Sequence, residues 1–113
     1  MGRDWAAGYQ VWVARKGLIA ETNAATRGYD ALVYPTVPIV APRLAEIAAA
    51  AAFAKINMLA LRNTALVNLL DRCALSLPMQ DEGALPCGLM IVGETMDDAR
   101  LFAIGEAIEA VGR

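Results

Sequence analysis

At 113 residues and a net charge of −2, the chain is one domain at most, or a piece of one, and it has no basic footprint for nucleic acid or anionic lipid. Its apolar fraction of 58% exceeds the roughly 45–50% usual for soluble domains, which argues against disorder. The longest apolar run, Ile47–Ala54, is mostly alanine and ends at Lys55, far short of the about 18 residues a membrane span needs; the N-terminus also lacks the apolar core of a signal peptide, so a cytoplasmic location is expected.

Residues 3–28 carry Trp5, Tyr9, Trp12, Val13, Lys16 and Ile19 or Ala20 at steps of three and four, the pattern of a long amphipathic helix that stops at Gly28. Its aromatic stripe suits a helix face packed on a sheet better than a ligand surface. Tyr29–Tyr34 is rich enough in Val and Tyr for a strand. Prolines at 35, 38 and 42 then forbid a continuing ladder and give an extended loop. A loop at the end of a strand is where α/β folds often place pockets.

Leu44–Ala54 has high helix propensity and weak amphipathicity, and reads as a helix or a partly ordered connector. The helical pattern resumes from Ile56 and ends near Asn68 and Asp71. Arg62, Asn63, Thr64 and Asn68 interrupt it with polar groups that either fix helix ends and loops or line a pocket.

Two apolar runs, 73–77 and 88–93, flank a polar turn carrying Gln80, Asp81, Glu82, Gly83 and Pro86, which predicts a strand, a turn and a strand. Strands apolar on both faces expect cover on both faces. Cys73 and Cys87 flank the turn; a disulfide across it is conceivable, but two buried reduced thiols suit a cytosolic chain better. The last helix is expected at 97–111, with Thr95 as N-cap, Asp97 and Asp98 in the first turn, and Gly112 as its stop.

The reactive inventory is sparse. There is no histidine, which removes Ser-His-Asp, Cys-His and His-based metal sites. Ser76 is the only serine, and Lys16 and Lys55 are the only lysines. Neither glycine-rich phosphate motif is present, so no cofactor and no metal is expected.

Three blocks resemble the C-terminal portion of the amidase signature family, in that family's order. They are YDALVYPTVPIVAP at 29–42, LRNTALVNLLDRCALSLP at 61–78 and GALPCGLMIVGETMDDARLF at 83–102. The resemblance implies an α/β fold: part of a mixed-sheet domain, with the 73–77/88–93 hairpin and long helices at 3–28 and 97–111. It also implies a hydrolase of amide carbon–nitrogen bonds, using a nucleophilic Ser, a second Ser joined by a cis peptide, and a Lys. Those residues belong to parts of the family domain that this chain lacks, so residues 1–113 correspond to an incomplete C-terminal part. No catalytic residue is assigned within it, and Ser76 falls where the family has a structural residue.

The resemblance places the loop Pro35, Thr36, Val37 and Pro38 near the substrate pocket, and makes Arg62, Asn63 and Thr64 candidates for substrate contact. A small-molecule amide is expected as substrate only when the rest of the enzyme completes the chain, through an N-terminal amidase partner. Two other readings stand beside it: a non-catalytic remnant that forms a homodimer through an exposed sheet edge, and a small enzyme using Ser76 with Lys16 or Lys55.

Overall fold

The computed structural model describes residues 4–111, with side chains from Ala6 onward. Three helices and three strands follow in the order α1 (Asp4–Thr26), β1 (Leu32–Pro35), α2 (Ala50–Leu69), β2 (Ala74–Pro78), β3 (Gly88–Val92) and α3 (Asp98–Val111). Arg3 and Gly112, at the two expected helix limits, lie outside the described residues.

The strands form one sheet in the order β1-β3-β2, antiparallel throughout. The expected hairpin is β2–β3, with β2 one residue later than expected and β3 ending one residue earlier. β3 is the central strand, and Ile91 is fully buried. On one face Met90 and Val92 pack with Val67 of α2, flanked by Leu32 and Tyr34. On the other, Ile91 and Leu77 pack with Leu101 of α3, flanked by Leu75, Ile104 and Ile108. The cover that an apolar strand demands is therefore supplied to β3. Gly105 lets α3 come close, since a Cβ there would collide with Leu75 Cδ2.

The alanine run is helical. A 3-10 turn at Leu44–Ile47 precedes it, fastened by the Arg43 N–H donating to Glu46 Oε2 at 2.9 Å. α2 then runs unbroken through Asn57, Asn63, Thr64 and Asn68. It ends in a Schellman arrangement: Asp71 N–H donates to Asn68 O at 3.2 Å and Arg72 N–H to Val67 O at 3.3 Å. Asp71 holds the left-handed position with φ 57°.

Three local expectations are corrected. Thr95 does not cap α3; its hydroxyl donates to Asp71 O at 2.5 Å, tying the β3–α3 turn to the end of α2. The cysteines are free and not equally buried: Cys73 is half-buried, its thiol donating to Glu94 O at 2.9 Å, whereas Cys87 is exposed. The aromatic face of α1 does not pack on the sheet. Tyr9 and Trp12 stack at 6.3 Å between ring centroids, Lys16 Nζ lies 3.8 Å from the Trp12 centroid, and both rings face solvent.

None of α1's described side chains is buried. Two arginines hold the helix instead. Arg15 Nε donates to Leu69 O at 2.8 Å, and Arg72 Nη2 donates to Asn23 Oδ1 at 2.8 Å and Thr26 Oγ1 at 2.6 Å. Near the sheet's opposite face, Arg100 pairs with Asp30.

Candidate functional site

The proline loop leaves β1 at Pro35 and arches over the sheet face that carries α2. Beneath it lies a cavity of about 350 Å³, walled by Val37, Ile39, Val40, Pro42, Ile56 and Ala60, with Thr36, Ser76, Cys87 and Gly88 along its floor. That volume is at the small end of the about 300–1,000 Å³ of ligand pockets.

The floor is built by strand register. Thr36 N–H donates to Gly88 O at 2.8 Å, which continues the β1–β3 ladder one residue past Pro35. Ser76 stands opposite Met90 on the other flank of β3. The Thr36 and Ser76 hydroxyls meet across β3, Oγ1 to Oγ at 2.5 Å. They meet over Gly88, where a Cβ would stand 2.6 Å from Ser76 Oγ and 2.7 Å from Thr36 Oγ1. Glycine at this place is a steric requirement of the hydroxyl pair.

Asn63 anchors the root of the loop. Its Nδ2 donates to Pro35 O at 2.7 Å, and its Oδ1 accepts from Arg62 Nε at 3.3 Å. A proline supplies no donor to a ladder but keeps its carbonyl, and α2 meets that carbonyl with an amide. Thr64 bonds back along its own helix, to Leu61 O at 3.2 Å. Among the residues expected at the site, Thr36 and Val37 line the cavity, and Asn63 touches the loop through Pro35. Arg62 reaches only Asn63, while Thr64 and Pro38 do not line the cavity. The floor residues Ser76, Cys87 and Gly88 are not among the expected site residues. Alternation along β2 carried the missing signal: Leu75 and Leu77 face α3, so Ser76 must face the proline loop.

The cavity has no charged lining residue. No cluster of His, Cys, Asp or Glu suited to a metal occurs among the described residues. Nor is any of the described helices long and apolar enough to cross a membrane.

A second polar feature lies on the same sheet face. Arg72 is buried, 8% exposed, and its Nε has no partner among the described residues. Beside it is a cavity of about 10 Å³ lined by Thr26, Tyr29, Leu32, Val92 and Glu94 among others. Burial pushes the Tyr34 hydroxyl pKa up, and the Arg72 charge opposes that shift.

Comparison with known proteins places this architecture. The chain is 45% identical over 83 residues to a 2-amino-5-chloromuconic acid deaminase of Comamonas testosteroni, an alignment covering 73% of this chain and 18% of that protein. It is 32% identical over 94 residues to a glutamyl-tRNA(Gln) amidotransferase subunit of Sulfolobus acidocaldarius, covering 82% of this chain and 19% of that one. The crystal structure of the corresponding subunit from Thermotoga maritima superposes with a TM-score of 0.64 at 26% identity, over 86% of this chain and 22% of that one. The chain thus spans about a fifth of the length of these relatives. The family model for amidases matches residues 7–102, taking in the proline loop, α2 and the β2–β3 hairpin, and on that match the chain belongs to the amidase family.

Proposed function

We propose that this chain is the C-terminal segment of an amidase-type hydrolase of carbon–nitrogen bonds, inactive until the rest of such a domain completes it. The family match over residues 7–102, in a chain that spans about a fifth of its relatives, carries this reading. The relatives are a deaminase and amidotransferase subunits, both named for chemistry at nitrogen. The residue inventory agrees: no histidine leaves no Ser-His or Cys-His system, and one serine cannot supply both serines of a Ser-Ser-Lys set within the segment. The nucleophilic Ser, the cis-peptide Ser and the Lys implied by the family resemblance come from the other four-fifths of the domain. This segment contributes the central strand β3, the covering helices and the proline loop with its cavity. In that role Pro35, Thr36, Val37 and Pro38 shape the pocket, Asn63 positions the loop, and Arg62 and Thr64 stand close by on α2. The substrate is a small amide, and the completed enzyme works in the cytoplasm without nucleic acid or membrane.

The test is reconstitution. The 113-residue chain is assayed alone on simple amides, then after co-expression with the N-terminal and middle parts of a related amidase. No turnover alone and turnover on completion are expected. Turnover by the chain alone that disappears with Ser76→Ala would instead make Ser76 a nucleophile and overturn the reading.

A homodimer is the second reading, favoured by one observation: β1 and β2 both present unpaired outer edges among the described residues.

A further inference from the structure

We infer that the cavity under the proline loop is a subsite for a compact, neutral, largely apolar carbonyl compound, whose oxygen accepts one hydrogen bond from the Thr36–Ser76 hydroxyl pair. This deepens the proposed amidase role and rests on it for its place in a reaction.

Two hydroxyls bonded to each other share one proton between them and leave the second O–H proton free to donate. At 2.5 Å the two oxygens are committed to one another, so the free proton is the donor left for a ligand. A carbonyl oxygen matches one donor. A carboxylate does not: no cation lines the cavity, and an ion entering apolar walls leaves water without a counter-charge. The walls are aliphatic, and about 350 Å³ admits a group the size of a benzoyl ring. Gly88 keeps the floor open and Asn63 fixes the loop one residue before Thr36, so the donor is held in place before a ligand arrives. In the completed enzyme, Thr36 and Ser76 then act as specificity residues for a compact uncharged acyl group.

Cys87 supplies the readout, because it is exposed and lines the cavity, whereas Cys73 lies elsewhere. The 113-residue chain is modified with N-ethylmaleimide in the presence of benzamide or benzoate, and the two thiols are followed separately by mass spectrometry. Benzamide should slow modification of Cys87 saturably without affecting Cys73, and benzoate should protect neither. Thr36→Val/Ser76→Ala, which removes both hydroxyl protons, should raise the half-protecting benzamide concentration about fivefold, the worth of one hydrogen bond. Gly88→Ala should abolish protection. Equal protection by benzoate, no protection by benzamide, or unchanged protection in the Thr36→Val/Ser76→Ala double variant would each overturn the subsite. A variant that unfolds betrays itself by fast Cys73 modification, and the unsubstituted chain's benzamide-against-benzoate contrast still decides. Benzamide protection together with a reconstituted enzyme that hydrolyses no amide would keep the subsite and sink the amidase reading. Amide hydrolysis without protection of Cys87 would do the reverse.

Discussion

Tyr34 shows how one side chain registers its surroundings. It lies on β1 against the Val67–Met90–Val92 cluster, and burial holds its hydroxyl pKa above the ordinary value of about 10 despite the Arg72 charge. The folded state therefore keeps this proton longer than the unfolded chain does. Its contribution to stability is complete below about pH 10 and is lost as pH rises through the folded value. Urea midpoints should fall above that pH, and Tyr34→Phe should flatten the fall; an identical alkaline slope in both proteins would remove Tyr34 as the cause. The β-rich run at 29–34 marked Tyr34 as a strand residue. Its pairing opposite Met90, and hence its burial, came from the register of β3.

At the scale of elements, the end of α2 was readable and the packing of α1's face was not. Asn68 and Asp71 signalled the end of α2, and the chain does leave the helix there in a Schellman turn with Asp71 at φ 57°. That conformation is costly for any residue with a Cβ and worst for β-branched ones. Asp71→Gly should stabilise the chain by up to about 1 kcal/mol, and Asp71→Val should destabilise it by about 1–2 kcal/mol, as read from urea unfolding. Equal effects of the two would mean that the backbone strain is not the determinant. The aromatic face of α1 misled, because periodicity reports an apolar face without naming what covers it. In this chain α1 is held by Arg15 and by the buried Arg72, whose bonds to Asn23 and Thr26 are charge-assisted. Arg72→Ala should thus expose α1 to trypsin at Arg15 and Lys16 at a markedly higher rate while β3 amides stay protected in hydrogen exchange. Unchanged cleavage would show that Arg72 does not hold the helix.

The whole molecule is too open for its length. Its radius of gyration is 17.5 Å, and it is a slab of 55 × 44 × 19 Å. A compact domain of this length has a radius of gyration of about 13 Å. Its accessible surface is 8580 Å², where a folded monomer of this mass exposes about 6,000 Å². Tyr9, Trp12, Phe53, Met58 and Leu61 on α1 and α2 are exposed, and both outer sheet edges are unpaired among the described residues. Such a surface seeks cover. Sedimentation of the chain alone should show concentration-dependent association, and, on the proposed role, adding the N-terminal and middle parts of a related amidase should suppress it. A monomer at all concentrations would count against both the exposed-edge argument and the homodimer reading.

The sequence by itself determined the local elements, the two apolar strands that demand cover, and the family, because these rest on short-range pattern and on residue types at fixed spacing. The tertiary structure alone decided which strand lay in the middle, that Ser76 faces Thr36 across Gly88, and that α1 is clamped by arginines with its aromatic face bare. Those features depend on strand register and on contacts between residues dozens of positions apart, and local pattern carries no record of either.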